Sequence, residues 1–151
     1  MCRKIELTFE KGGRLVAELY DEAAPETCNY FWDKLPFTLP ARRSVMSGGV
    51  VGINLEGWDF NKLEYVNTMI PQGEIGFLST FIPHRPMNNP YCQMLLPLSG
   101  SSQIHQMWGI ASPTNRLAKI IEGMEDLGKI ATRIANSGAD GENITVKRLE
   151  D

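Results

Sequence analysis

Between Ile75 and Asn115 the chain carries one charged side chain, Arg85, and both of its histidines, His84 and His105. A stretch this long that lay open to water would normally carry more charge. Two physical readings account for it. The segment either holds core strands that also meet a second subunit, where charge is depleted, or it walls a pocket. In the pocket reading Arg85 has no acidic neighbour in sequence, and a bound anion would offset the cost of burying it unpaired. Arg42-Arg43 offers a similar choice. The pair is either solvated at a strand start, or Arg43 turns inward beside Ser47 and the two donate to an anion or carbonyl. His105 reads as a half-buried, satisfied histidine or as a base, with no Asp or Glu nearby in sequence to orient it.

Other chemistries are excluded by residue type and spacing. Two histidines about twenty residues apart, without a neighbouring thiolate or carboxylate, lack the spacing of a metal site. Neither a phosphate loop nor a nucleophile elbow is present, and no cofactor is implied. Cys2, Cys28 and Cys92 are odd in number and far apart. They read as buried or idle thiols in a reducing compartment. A net charge of −3 and a pI near 5.4 argue against a nucleic-acid or anionic-membrane partner. The opening residues hold no apolar signal segment, and the longest weakly charged stretch has too many Pro, Gln, Asn and Ser residues to cross a bilayer. The expectation is a single domain of 151 residues in the cytoplasm.

The elements that must position these residues follow from periodicity. Ile5, Leu7 and Phe9 alternate with polar residues, Lys11-Gly12-Gly13 turns, and Leu15, Ala17 and Leu19 alternate again, which predicts an opening hairpin. Ala24, Cys28, Phe31 and Leu35 have helical spacing behind Pro25, so residues 24–35 read as an amphipathic helix. Pro36 and Pro40 bracket an expected loop. Arg43, Val45 and Ser47 then share one face of a strand, followed by a strand over Val50 to Leu55. Residues 56–73 are less regular, with a short strand expected around Leu63 to Val66 and the Trp58-Asp59-Phe60 segment packing on the barrel. Further strands are expected over 74–78, Tyr91 to Leu96, Ile104 to Ile110, Leu117 to Ile121 and Ile144 to Leu149. A second helix runs from Met124 past Ile134 towards Gly138. Hairpin-length connections and about eight strands with two helices predict a mainly β fold, a closed antiparallel barrel.

Several motifs resemble those of cyclophilins. Gly13 to Leu19, Ala24-Pro25-Glu26-Thr27 and Asn29-Tyr30-Phe31 are similar to the first hairpin and helix of that family. Met46-Ser47-Gly48-Gly49 resembles the strand that ends in Gln-Gly-Gly, and Ile144-Thr145-Val146 resembles the closing strand. Gly73-Glu74-Ile75-Gly76-Phe77 and Glu122-Gly123-Met124-Glu125-Asp126-Leu127 look most like the small bacterial cyclophilin-like proteins, a family with a fold and no agreed activity. The resemblance implies a cyclophilin-like barrel. It also implies a pocket in which Arg42 or Arg43 plays the family's arginine, Gln93 matches a glutamine on a later strand, and His105 matches a pocket histidine. Ser47 stands where the family has glutamine, and Val45 and Leu95 stand where it has aromatics.

The leading functional expectation is a small-molecule pocket on the barrel face formed by Arg43, Ser47, Arg85, Gln93 and His105. It would take an anionic or amide-bearing metabolite. A degenerate prolyl isomerase or proline-peptide binder is the second reading, and an oligomerisation module the third. Met94, Leu96, Leu98, Met107 and Trp108 on the charge-poor strands predict a homodimer or larger assembly.

Overall fold

The opening hairpin is β1 (Lys4–Phe9) and β2 (Arg14–Leu19), paired antiparallel with Leu7 opposite Leu15 and Ile5 opposite Ala17. All four side chains are fully buried, so the alternation sets which face turns inward. The computed structural model describes residues 2–43, 50–79, 91–97, 101–103, 113–138 and 140–150. Ser47, Arg85, His105 and the strand expected over Ile104 to Ile110 lie outside the described residues.

After the hairpin come α1 (Pro25–Asp33), β3 (Phe37–Arg43), β4 (Val50–Glu56), β5 (Val66–Asn67), β6 (Met69–Pro71) and β7 (Glu74–Leu78). Then follow β8 (Tyr91–Pro97), β9 (Ser101–Gln103), β10 (Thr114–Glu122), α2 (Met124–Ala135) and β11 (Glu142–Leu149). The main sheet runs β2-β1-β11-β3-β4-β8-β7-β10, and a β2–β10 pairing closes it into an eight-stranded antiparallel barrel. Strand β5 is appended to β10, and β6 with β9 forms a separate two-stranded sheet. The expected closed antiparallel barrel with two helices is the observed one.

Inward side chains of every barrel strand form one core that also takes in Phe31 of α1 and Leu127, Ile130 and Ile134 of α2. Helix α1 covers one barrel end, with Thr27 at its start donating from both its backbone N–H and its hydroxyl to Glu64 Oε1 at 2.6 Å. That carboxylate sits where the helix dipole favours negative charge. Helix α2 covers the other end, entered through Gly123 at φ 94. A Cβ there would lie 2.2 Å from the Arg14 carbonyl oxygen, so both the backbone angle and the close approach require glycine.

Two expectations need correction. Residues 37–43, read as partly loop because of Pro36 and Pro40, are strand β3. Asn143, opposite Pro40, uses its N–H and C=O on Glu10, so Pro40 turns its missing donor away from β11. On that side pairing with β4 begins only at Ala41, so the proline breaks no ladder bond. Met94 and Leu96, expected on a subunit face, point into the barrel and are fully buried. Leu98, Met107 and Trp108 lie outside the described residues.

Candidate functional site

The end of β3 carries the cations of the expected site. Antiparallel partners share a face, so Ala41 opposite Ile53 and Arg43 opposite Val51 place Arg43 on the inward-facing parity, at the barrel rim. Arg42, opposite Gly52, takes the outer face. Gly52 lies opposite Leu95, and Leu95 opposite Gly76, so one row of the outer face reads Arg42, Gly52, Leu95, Gly76. Gln93 belongs to this face, one step along β8 from Leu95. The structure therefore brings Gln93 together with Arg42, and puts Arg43 on the opposite parity. From strand spacing, Arg42 and Gln93 have Cα atoms about 12 Å apart, two strands across and two residues along.

Gln93 Nε2 donates to Asn54 Oδ1 at 2.7 Å across the β4–β8 pair. Among the described residues that bond leaves the Gln93 carbonyl oxygen as a further acceptor and the Asn54 amide hydrogens as further donors. Beside this amide pair the outer face turns apolar, with Val50, Ile70, Leu78 and Leu95 forming a second buried cluster. Gly52 leaves the floor between Arg42 and Leu95 clear; among the described residues a Cβ added there would meet only Leu95 Cδ2, at 3.7 Å. Asn54 was missed in the sequence, although its i+2 spacing from Gly52 on a strand marks the shared face.

Both arginines are exposed. Among the described residues Arg3, Arg14, Arg116 and Arg133 each pair with a carboxylate. Arg148 donates to the Trp32 carbonyl oxygen and stacks 4.9 Å from the Trp32 ring. Arg42 and Arg43 have no acidic or aromatic partner among the described residues, which leaves their ten N–H donors without a protein acceptor there.

The strand end that holds them is itself fixed. Glu142, opposite Ala41, is almost fully buried. Arg133 of α2 donates to it through Nε at 2.6 Å and Nη2 at 2.9 Å, and the Lys11 N–H donates at 3.2 Å. Burial pushes the Glu142 carboxyl up, but these donors outweigh it and hold it below the usual range. Next to it Gly141, at φ 64, allows a close approach: a Cβ there would lie 2.2 Å from the Ala41 carbonyl oxygen and 2.8 Å from Arg42 Cγ. The start of β11 thus seats the Arg42 stem.

A second polar cluster, not foreseen in the sequence, lies on β10. Arg116 grips both oxygens of Glu74 at 2.7 and 2.5 Å and lies 4.1 Å from the Tyr65 ring centroid and 5.4 Å from that of Tyr20. The Glu74 pairing raises the Arg116 pKa against a lowering by burial. Burial first, then Glu74, pushes the Tyr20 phenol up to about 12. With guanidinium, carboxylate and rings all engaged, this cluster is a clamp holding the Tyr65 segment to the barrel. No three His, Cys, Asp or Glu groups among the described residues are placed to hold a metal ion. No helix there is long and apolar enough to cross a membrane.

A closed eight-stranded antiparallel barrel capped by a helix at each end, with a polar and apolar outer face on β4 and β8, is the architecture of cyclophilin-like proteins. Within that class the chain belongs to the family described as "Protein of unknown function (DUF3830)", matched over residues 7–146. No curated protein matches it. Among solved structures it is similar to McbB in complex with tryptophan, with a TM-score of 0.69 and 18% identity. The match covers 97% of this chain but 45% of McbB, so the chain spans less than half of that protein. It is also similar to the hypothetical protein AF2241 from Archaeoglobus fulgidus, at TM-score 0.59 and 21% identity over 98% of this chain and 95% of that one. A cyclophilin-type peptidyl-prolyl cis-trans isomerase of Cryptosporidium parvum matches at TM-score 0.58 and 13% identity, over 100% and 99% of the two chains. These likenesses concern the fold.

Proposed function

We propose that the chain binds a small anionic or amide-bearing metabolite on the outer barrel face. Arg42 and Arg43 at the end of β3 supply the cation, and the Gln93–Asn54 amide pair supplies a donor beside an acceptor. Ser47, Arg85 and His105, expected at the same site from the sequence, lie outside the described residues. The observation that carries this reading is that Arg42 and Arg43 alone, among the described arginines, have no protein partner among the described residues. A carboxylate accepts two parallel N–H bonds from such a fork. McbB, whose fold is similar over this chain's length, has been solved in complex with tryptophan, which makes tryptophan a ligand worth testing.

A screen by thermal shift tests the reading. A ligand that binds only the folded state raises its stability. The panel is tryptophan, simple mono- and dicarboxylates, a hydantoin and a proline dipeptide. Arg42→Met and Arg43→Met, made separately, report which parity the ligand uses. Loss of the shift in Arg42→Met alone places it on the Gln93 face, and loss in Arg43→Met alone places it at the rim. Shifts unchanged in both variants would defeat the assignment.

A second reading is a degenerate proline-peptide binder, favoured by the cyclophilin-type match, whose Cryptosporidium parvum protein has also been solved in the presence of the dipeptide Ala-Pro. Leu95 in place of an aromatic floor weighs against it. The proline dipeptide in the panel separates the two.

A further inference from the structure

Tyr65 to Gly73 is a run of nine residues without a single charge, in a chain that is 22% charged. It is not interior. Tyr65, Val66 and Met69 are 40%, 44% and 45% exposed, and Leu63 just before them is 50% exposed. Together they leave on the order of 300 Å² of apolar side chain in water, the size at which patches on monomers are often functional. An independent feature of the backbone coincides with this strip.

Strand β5 is the terminal strand of the main sheet, so among the described residues the barrel, closed elsewhere, has an open edge here. The Arg116 N–H donates to the Tyr65 carbonyl oxygen at 3.1 Å, which makes Tyr65 and Arg116 the hydrogen-bonded pair. The next pair, Val66 opposite Asn115, is therefore the non-bonded one. The Val66 N–H and C=O consequently point away from β10, out along the open edge. Proteins usually blunt such an edge with a Lys, a Pro or a covering loop. Val66-Asn67 carries none of these residues.

We propose that β5 pairs with β5 of a second copy of this chain, antiparallel across a two-fold axis through Val66. The two valines exchange N–H···O=C bonds, and each copy's Tyr65 lies opposite the other's Asn67. On the two-fold axis Val66 faces its own copy, so a charge there would meet its like. Val66 is uncharged, as pairing through the axis requires, and no flanking charge in the strip calls for a partner of complementary sign. The Tyr65 clamp serves this contact: with φ at 49, Tyr65 turns the chain into β5. Its ring under Arg116 then holds the edge in place before the partner arrives. This face is distinct from the charge-poor β7 and β8, whose apolar side chains are buried in the barrel core or in the outer cluster with Ile70.

Sedimentation equilibrium of the full chain tests the proposal, together with Val66→Lys and, as a control at another exposed apolar position, Ile121→Lys. Dimers are expected for the parent and Ile121→Lys at micromolar concentration, with Val66→Lys weakened at least tenfold. Hydrogen exchange supplies a readout independent of that variant's folding: protection of the Val66 amide should rise with protein concentration. A parent chain that stays monomeric at several hundred micromolar would overturn the proposal. So would a dimer unaffected by Val66→Lys, or Val66 exchange independent of concentration.

Discussion

Replacing Glu142 with Gln tests whether the start of β11 is what seats the arginine-bearing end of β3. The side chain has no exposed area and accepts from Arg133 twice and from the Lys11 N–H. Removing one partner of a buried ion pair costs about 3–5 kcal/mol when the other charge is stranded. Arg133 is 28% exposed and also donates to the Gly12 carbonyl oxygen, so water and that bond offset part of the loss. A Gln retains acceptor capacity for the Lys11 N–H. The expected cost is then about 1–3 kcal/mol, which for a chain of this size lowers Tm by roughly 3–10 °C. The pH dependence fixes the cause. Glu142 has its pKa lowered on folding, so its contribution is fully present above the unfolded carboxyl pKa and is lost as pH falls through the folded one. Differential scanning calorimetry from pH 7 down to pH 3 should show a gap between parent and Glu142→Gln that is widest near neutrality and closes in acid. A gap below 1 °C at pH 7, or one that stays constant into acid, would refute the reasoning.

Four further outcomes are expected. Gly123→Ala should lower stability by 2 kcal/mol or more, on the order of a strained-backbone cost plus the close approach to the Arg14 carbonyl, and chemical denaturation measures it. Gly52→Ala should leave Tm within a few degrees, because its Cβ meets only Leu95 at ordinary contact distance, while weakening any ligand that lies on that floor. Burial pushes the Cys28 thiol up to about 12, so a thiol reagent at pH 8 should modify the part-exposed Cys2 quickly and leave Cys28 intact until the protein unfolds. Prolyl isomerase activity should be weak or absent, because Leu95 replaces an aromatic floor; a protease-coupled assay with rates like those of ordinary cyclophilins would contradict this.

What the sequence made legible was whatever period and capping encode locally. The hairpin, both helices and β11 follow from two- and 3.6-residue spacing of residues such as Ile5, Leu7, Cys28, Phe31, Leu127 and Ile130. Strand β3 was obscured because a proline inside a strand is harmless only when its nitrogen faces an unpaired side, and neighbours decide that. The same gap affected the site. Gln93 and an arginine at the end of β3 were legible as candidates, but which of Arg42 and Arg43 shares the Gln93 face depends on the registers of three strands. The bonds of Glu142 to Lys11, of Arg116 to Glu74 and of Thr27 to Glu64 join residues 131, 42 and 37 positions apart. No local pattern in one sequence announces such pairs.

Arg42 and Arg43, without a partner among the described residues, are proposed to bind a carboxylate- or amide-bearing small molecule. Isothermal titration calorimetry of the best compound from the thermal-shift panel, against the parent and the double variant Arg42→Met/Arg43→Met, tests it most directly. At a hundredfold excess over Kd a ligand adds about 2.7 kcal/mol, so the parent should show a Tm rise of roughly 5–10 °C alongside measurable heat. The double variant should melt within a few degrees of the unliganded parent, since neither arginine has an ion pair to lose among the described residues, and its affinity should fall at least tenfold. A panel in which no compound shifts the parent, or a double variant that binds the best compound as tightly as the parent does, would contradict the account.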